Sequence, residues 1–225
     1  MRSTWRTLDP KLLRDVSAVA AGAAVSGASF GAISTATGLP WWLPVAMSVL
    51  VFAGGSQFMA VGVVAAGGSP AAAVLAGLVL NARHLPFGLA VGDVFGKGWG
   101  RRLVGAHLLI DESTAFALAQ RDPERARAAY WACGVALFGA WNVAVVAGAL
   151  VGRNIGDPGA FGLDAAFPAA LVALLLPALK DRVTLNAALL GAAVALATTP
   201  FLPAGVPVLL ALGGLLATAR REPAP

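Results

Sequence analysis

The chain has 225 residues, 58% of them hydrophobic and 12% charged, with a formal net charge of +5 and a mean hydropathy of +0.78. Soluble domains carry roughly 25% charged residues, so water is excluded as the main solvent of this chain. The basic residues are scattered over short loops and tails, which excludes a nucleic-acid-binding face, and the single cysteine, Cys133, excludes an internal disulfide.

Taken in chain order, Arg2, Arg6, Lys11 and Arg14 precede an Ala-rich stretch that looks like a signal peptide. Small residues pervade the whole chain, however, and 16–38 is read as a retained first helix. Further apolar segments follow at 43–67, 70–92, 103–120, 128–152, 166–179, 184–199 and 204–219. Each of the longer ones can cross a hydrocarbon core about 30 Å thick. The last three are short or contain Pro168, Pro177 and Pro207, so kinks or partial spans are expected there. Glycine pairs inside the apolar runs, Gly27 with Gly31 and Gly148 with Gly152, suit close helix packing in lipid. Trp41, Trp42, Trp99, Tyr130 and Trp131 lie near segment ends, where aromatic rings settle at headgroup level. The expected architecture is all-α: a polytopic membrane protein with about six to eight transmembrane helices, some broken or re-entrant. It comprises a cytoplasmic tail (1–15), one transmembrane transport domain (16–219) and a C-terminal tail (220–225).

Loop charge favours a cytoplasmic N-terminus, since the first tail, the Arg121–Arg127 loop, the Lys180–Arg182 turn and the Arg220–Arg221 tail are all basic. The loop with Arg153, Asp157 and Asp164 then lies outside. Eight simple crossings leave one conflict, because Lys97, Arg101 and Arg102 fall on the outer side. The alternative is that 43–67 re-enters from outside and 103–120 from inside, which makes every basic loop cytoplasmic and leaves six crossings.

Of the charged residues, only Arg83, Asp111 and Glu112 fall well inside apolar segments. A charge at the bilayer centre costs at least about 2.5 to 3.5 kcal/mol, so these three demand a partner, a water-filled cavity or a function. His84 and His107 lie beside them. On a continuous helix His107 and Asp111 share a face, which allows a proton path. Arg83 is expected to approach Asp111 or Glu112, and one basic group against two acids leaves a carboxylate free for a proton or an ammonium group.

Two backbone features accompany the charges. Gly54 and Gly55 in FAGGSQF (52–58) weaken a helix, and a half-helix starting near Ser56 aims free N–H groups at a ligand carboxylate. In NARHLP (81–86), Pro86 removes a backbone hydrogen bond and frees a carbonyl one turn earlier. Asp111, with Thr114 three residues on, can cap a helix restarting at Glu112. Asn142, polar in mid-segment, reads as interhelical glue. The chain has neither a metal-spaced His or Cys cluster nor a phosphate-binding loop, so it is read as a non-enzyme without metal or cofactor.

FAGGSQF, NARH (81–84), the Asp111–Glu112 pair and the later GLD (162–164), in this order and spacing over nearly the whole chain, resemble the AzlC family of branched-chain amino-acid permeases. The family usually carries threonine before its acidic pair; here Ile110 stands there. The resemblance implies export of valine, leucine and isoleucine across a bacterial plasma (inner) membrane, together with a small AzlD-like membrane subunit. On that reading Gly54, Gly55, Ser56, Gln57, Asn81 and Arg83 bind the substrate. His84, His107, Asp111 and Glu112 hold its ammonium group or carry a coupling proton, and Phe52, Phe58 or Phe116 holds the side chain. An uncoupled channel and a purely structural membrane subunit remain the alternatives.

Overall fold

The computed structural model describes residues 9–154, 172, 176, 178–203 and 205–216. The segment at 166–179, the GLD stretch with Asp157 and Asp164, and the Arg220–Arg221 tail lie largely or wholly outside these residues. The chain divides into two compact units, one of residues 1–57 and 81–163, the other of 58–80 and 164–225.

In the first unit, Asp9 caps α1 (Pro10–Ala36) by accepting from the Leu12 N–H at 2.7 Å, with Pro10 in the first turn where its missing N–H costs nothing. The same device, Asp122 with Pro123, starts α8 (Pro123–Gly152). At 30 residues, α8 is about 45 Å long, and it is the axis against which the other elements of this unit can be placed. Gly27 of α1 lies at the level of Trp141 and Ala144, Gly31 at Val145 and Ala149, and Ala32 and Thr35 at Gly152, so α1 and α8 run parallel. Both glycine pairs expected to pack helices do so. A Cβ at Gly31 would collide with the Val145 carbonyl oxygen, and one at Gly148 with that of Ala28.

Between α1 and α8, each of the three apolar segments is broken. The segment at 43–67 is α2 (Trp42–Leu50) and α3 (Gly54–Ala65), separated by non-helical 51–53. The segment at 70–92 is α4 (Pro70–Asn81) and α5 (His84–Val91), followed by a 3-10 turn (Gly92–Phe95). The segment at 103–120 is α6 (Trp99–His107) and α7 (Asp111–Leu118) around 108–110.

Two of these breaks reverse the chain. Along α6, Gly105 packs on Phe95 and accepts from Tyr130, and Leu108 then reaches Gly134. The His107 ring lies 5.6 Å from that of Phe138, so α6 advances with α8. Down α7, Glu112 lies within electrostatic reach of Cys133, and Ala117 joins the cluster of Val91, Phe95 and Tyr130. The two helices therefore form a hairpin that enters and leaves at the N-terminal end of α8. Its tip lies halfway along that helix.

The α2–α3 break folds back from the other end. Ser48 bonds Asn142 at 2.6 Å, and the Phe52 ring lies 5.1 Å from that of Phe138, so α2 descends from the C-terminal end of α8. The Gln57 amide then donates to the Met47 carbonyl at 2.8 Å. On a continuous helix the two residues would stand about 15 Å apart, beyond the reach of a glutamine side chain, so the first turn of α3 lies back along α2. The chain thus turns back at 51–53 and at 108–110, the two places where the arrangement with re-entrant segments expects it. The conflict over Lys97, Arg101 and Arg102 disappears, because the hairpin returns them to the end of α8 that carries Arg125 and Arg127.

Tyr130 is fully buried, its hydroxyl donating to the Gly105 carbonyl at 2.7 Å, and is not the headgroup anchor expected from its place near a segment end. Trp42 and Trp99 are exposed, at 55% and 79%. Asn142 is interhelical glue as expected, accepting from Ser48 of α2 and donating to Phe138 of its own helix.

In the second unit, Asp181 caps α9 (Arg182–Thr198) through the Thr184 N–H at 2.7 Å. A short α10 (Val206–Leu210) continues as a 3-10 turn (Ala211–Leu215), in keeping with the kinks or partial spans expected of 204–219. Val63, Ala73 and Ala76 form its buried cluster. No strand occurs among the described residues. Pro10–Ala36, Pro70–Phe95 and Pro123–Gly152 are long and apolar enough to cross a membrane. Large apolar side chains face outward, Leu89 being 89% exposed, which suits lipid rather than water.

Candidate functional site

Three of the motifs singled out in the sequence, FAGGSQF, NARH and the Asp111–Glu112 pair, sit at the three breaks. At the first, the helix stops at Leu50 and restarts at Gly54, two residues before the Ser56 start expected. The glycines begin the new helix rather than interrupt the old one. Gly54 packs against the Trp141 ring, whose nearest carbon would lie 2.8 Å from an added Cβ. The Ser56 hydroxyl donates to the Ala53 carbonyl, and the Gln57 amide nitrogen to those of Met47 and Val51 at 2.8 and 3.3 Å. Gln57 thus adds a second hydrogen bond at the Met47 carbonyl, which already accepts from the Val51 N–H at 2.9 Å, and supplies one to the Val51 carbonyl just past the end of α2. The Gln57 Oε1 is buried without a hydrogen-bond partner among the described residues.

The second break, at Ala82 and Arg83, lies one turn before Pro86. The proline falls in the first turn of α5, where no N–H is missed, and the Ala82 carbonyl accepts from the Leu85 N–H at 3.1 Å, so it is not freed as expected. His84 Nδ1 lies 3.1 Å from the Asn81 carbonyl oxygen, and its ring stands edge-on to Phe87.

The third break removes the shared helical face proposed for His107 and Asp111, since one ends α6 and the other begins α7. It also moves the cap. Ile110, in extended conformation, occupies the N-cap position, and Ser113 secures the tip by accepting from the Ile110 N–H at 3.1 Å and donating to the Leu108 carbonyl at 2.9 Å. Neither Asp111 nor Thr114 caps the helix. Asp111 and Glu112 occupy its first turn, where carboxylates complement the helix dipole.

The interior charges meet as expected. Arg83 Nη2 lies 3.2 Å from Asp111 Oδ2, with both side chains more than a third exposed, at 37% and 42%. Glu112 forms no ion pair among the described residues and is half-buried. The tips of the two hairpins also meet: the Phe52 and His107 rings lie 6.5 Å apart, and both pack against Phe138. Phe138 and Trp141 escaped sequence reasoning, because aromatic residues in an apolar helix carry no signal of which tip they will touch.

Asn81 Oδ1, Arg83 Nε, Asp111 Oδ1 and Thr114 Oγ1 share the condition of Gln57 Oε1, buried without a hydrogen-bond partner among the described residues. Each such atom carries a desolvation cost of about 1–3 kcal/mol. These five lie at or beside the breaks, and buried polar groups of this kind call for a partner.

Broken helices with polar, charged ends turned into protein define a helical membrane transport protein, since irregular backbone at that depth must be buried in protein or line a cavity. Residues 18–155 match the family model described as AzlC protein. The chain belongs to the AzlC family, transporters whose known role is that of branched-chain amino-acid permeases. No curated protein and no solved structure matches it.

Proposed function

We propose that this chain exports branched-chain amino acids as a secondary transporter of the bacterial inner membrane, with its N-terminus in the cytoplasm. The observation that carries this reading is the set of unpartnered polar atoms at the three breaks, beside a charged pair that is only half-buried. A zwitterion has one group for each kind of atom. Its ammonium group suits Asp111, Glu112 and the oxygens of Gln57, Asn81 and Thr114. Its carboxylate suits Arg83 and the first-turn N–H groups of α3 at Gly54, Gly55 and Ser56, where a helix N-terminus favours an anion. Phe52 and Phe138 offer apolar surface for a branched side chain. Asp111 already neutralises Arg83, so Glu112 is the carboxylate available to a coupling proton, with His84 or His107 as relay.

The family resemblance supports a small AzlD-like subunit as partner, and the basic residues gathered at one end of α8 support a cytoplasmic location for that end. Reconstitution into liposomes, with and without the small subunit, tests the reading. Labelled valine should accumulate under an imposed pH gradient and exchange with unlabelled leucine and isoleucine. Flux that never exceeds equilibration would assign the chain to uncoupled facilitation, and absence of flux in the folded complex would leave it a structural subunit.

A further inference from the structure

The two hairpins repeat at a constant spacing of 57 residues, element by element. Trp42 and Trp99 open α2 and α6, Leu50 and His107 close them, and Gly54 and Asp111 open α3 and α7. The hydrogen bonds repeat too. Ser56 and Ser113 each donate to the carbonyl three residues earlier, at 2.9 and 3.1 Å. The Gln57 and Thr114 N–H groups donate to those same carbonyls, of Ala53 and Ile110, both at 3.1 Å. Gln57 and Thr114 are 1% and 3% exposed, and each retains an unpartnered side-chain oxygen. The preceding elements follow the spacing: Phe30–Gly31 in α1 answers to Phe87–Gly88 in α5.

The directions are opposite. Measured along α8, α1 runs parallel, whereas α5 runs from Arg83, level with the hairpin tip at Asp111, back to the 3-10 turn, where Val94 accepts from Trp131. The first hairpin enters from the C-terminal end of α8 and the second from the N-terminal end. A twofold repeat that reverses direction is the inverted-topology arrangement, in which two halves can exchange conformations about one central site.

We propose that residues 26–57 and 83–114 are inverted repeats, and that their hairpins are the two gates of an alternating-access carrier, closing on opposite sides of the Phe52–His107–Phe138 ring cluster. This rests on the transport reading above and deepens it, because a carrier must never open both gates together. The charges break the symmetry. Ser26 and Gly54 stand where the second repeat has Arg83 and Asp111, so among the described residues only the second hairpin is held by an ion pair, and the ammonium group of a substrate competes with Arg83 for that carboxylate.

Cysteine accessibility tests the gates without reference to the substrate. In a Cys133→Ala background, Ser56→Cys and Thr114→Cys each place a thiol at a buried tip. Membrane-impermeant maleimide should label them from opposite faces of the membrane. The second gate can be locked by Leu108→Cys with Gly134→Cys, since a Cβ at Gly134 would lie 3.1 Å from that of Leu108, close to the roughly 3.5–4.5 Å of a disulfide. Oxidation should stop valine flux and Thr114→Cys labelling while leaving Ser56→Cys labelled, and reductant should restore both. Labelling of the two tips from the same face, or unchanged flux in the oxidised pair, overturns the proposal. If the reduced pair is inactive, labelling in the chain without it decides. Alternating labelling in a protein that moves no amino acid would keep the gates and sink the substrate reading alone.

Discussion

Gly148→Ala and Gly139→Ala make the same chemical change in the same helix and should have opposite effects. At Gly148 an added methyl would fall on the carbonyl oxygen, carbonyl carbon and Cα of Ala28, all backbone atoms of α1. No rotamer change relieves such a clash, so α1 and α8 must separate, which loosens the adjoining contact of Gly31 with Val145 and Ala149. Overpacking a well-filled site costs about 1–3 kcal/mol, and rigid backbone on both sides puts this case towards the upper figure. The alanine returns about 0.5–1 kcal/mol through the lower flexibility of the unfolded helix, leaving a net loss of about 2 kcal/mol. At Gly139 nothing lies within 4 Å of the added atom, so only the gain operates and stability should rise slightly or hold. The double variant Gly31→Ala/Gly148→Ala should lose less than the sum of the single losses, because one separation of the helices accommodates both methyls. Denaturation midpoints of purified protein in a mild detergent provide the measurement. Equal midpoints for Gly148→Ala and Gly139→Ala would refute backbone contact between α1 and α8 as the origin of these glycines.

Gln57→Leu removes the donor to the Met47 and Val51 carbonyls and should cost about 1–3 kcal/mol, read as a lowered midpoint; an unchanged midpoint would show that the first hairpin does not depend on this cap. Arg83→Ala leaves Asp111 without its partner and should reduce folded yield and transport together. Glu112→Gln should abolish pH-driven accumulation yet spare valine exchange, whereas Asp111→Asn should impair both; full retention in both amide variants would remove the acidic pair from the transport cycle. For topology, cysteines at Lys97 and Arg125 should react with impermeant reagent from one face and a cysteine at Leu39 from the other, and reaction of Lys97→Cys with Leu39→Cys would reinstate a simple crossing for 103–120.

Composition alone determined that this is an all-α membrane chain, because nothing else accounts for apolar runs recurring over its length with so few charges. The residues of the candidate site were legible for the same reason: Arg83, Asp111 and Glu112 are conspicuous only because apolar surroundings make charge expensive. Gly54 and Gly55 pointed to the right break, although the restart lies two residues earlier than expected. What sequence could not decide was direction. A stretch of 20 apolar residues has the same hydropathy whether it crosses or turns back halfway, and the three-residue linkers 51–53 and 108–110 are themselves apolar, so no turn signal marks them. Only tertiary contacts distinguish the two cases, through Leu108 against Gly134 on the way in and Ala117 beside Tyr130 and Phe95 on the way out. The same holds for Thr114, Phe138 and Tyr130, whose roles follow from the element each faces across the fold, a relation that residue type and spacing along one helix do not carry.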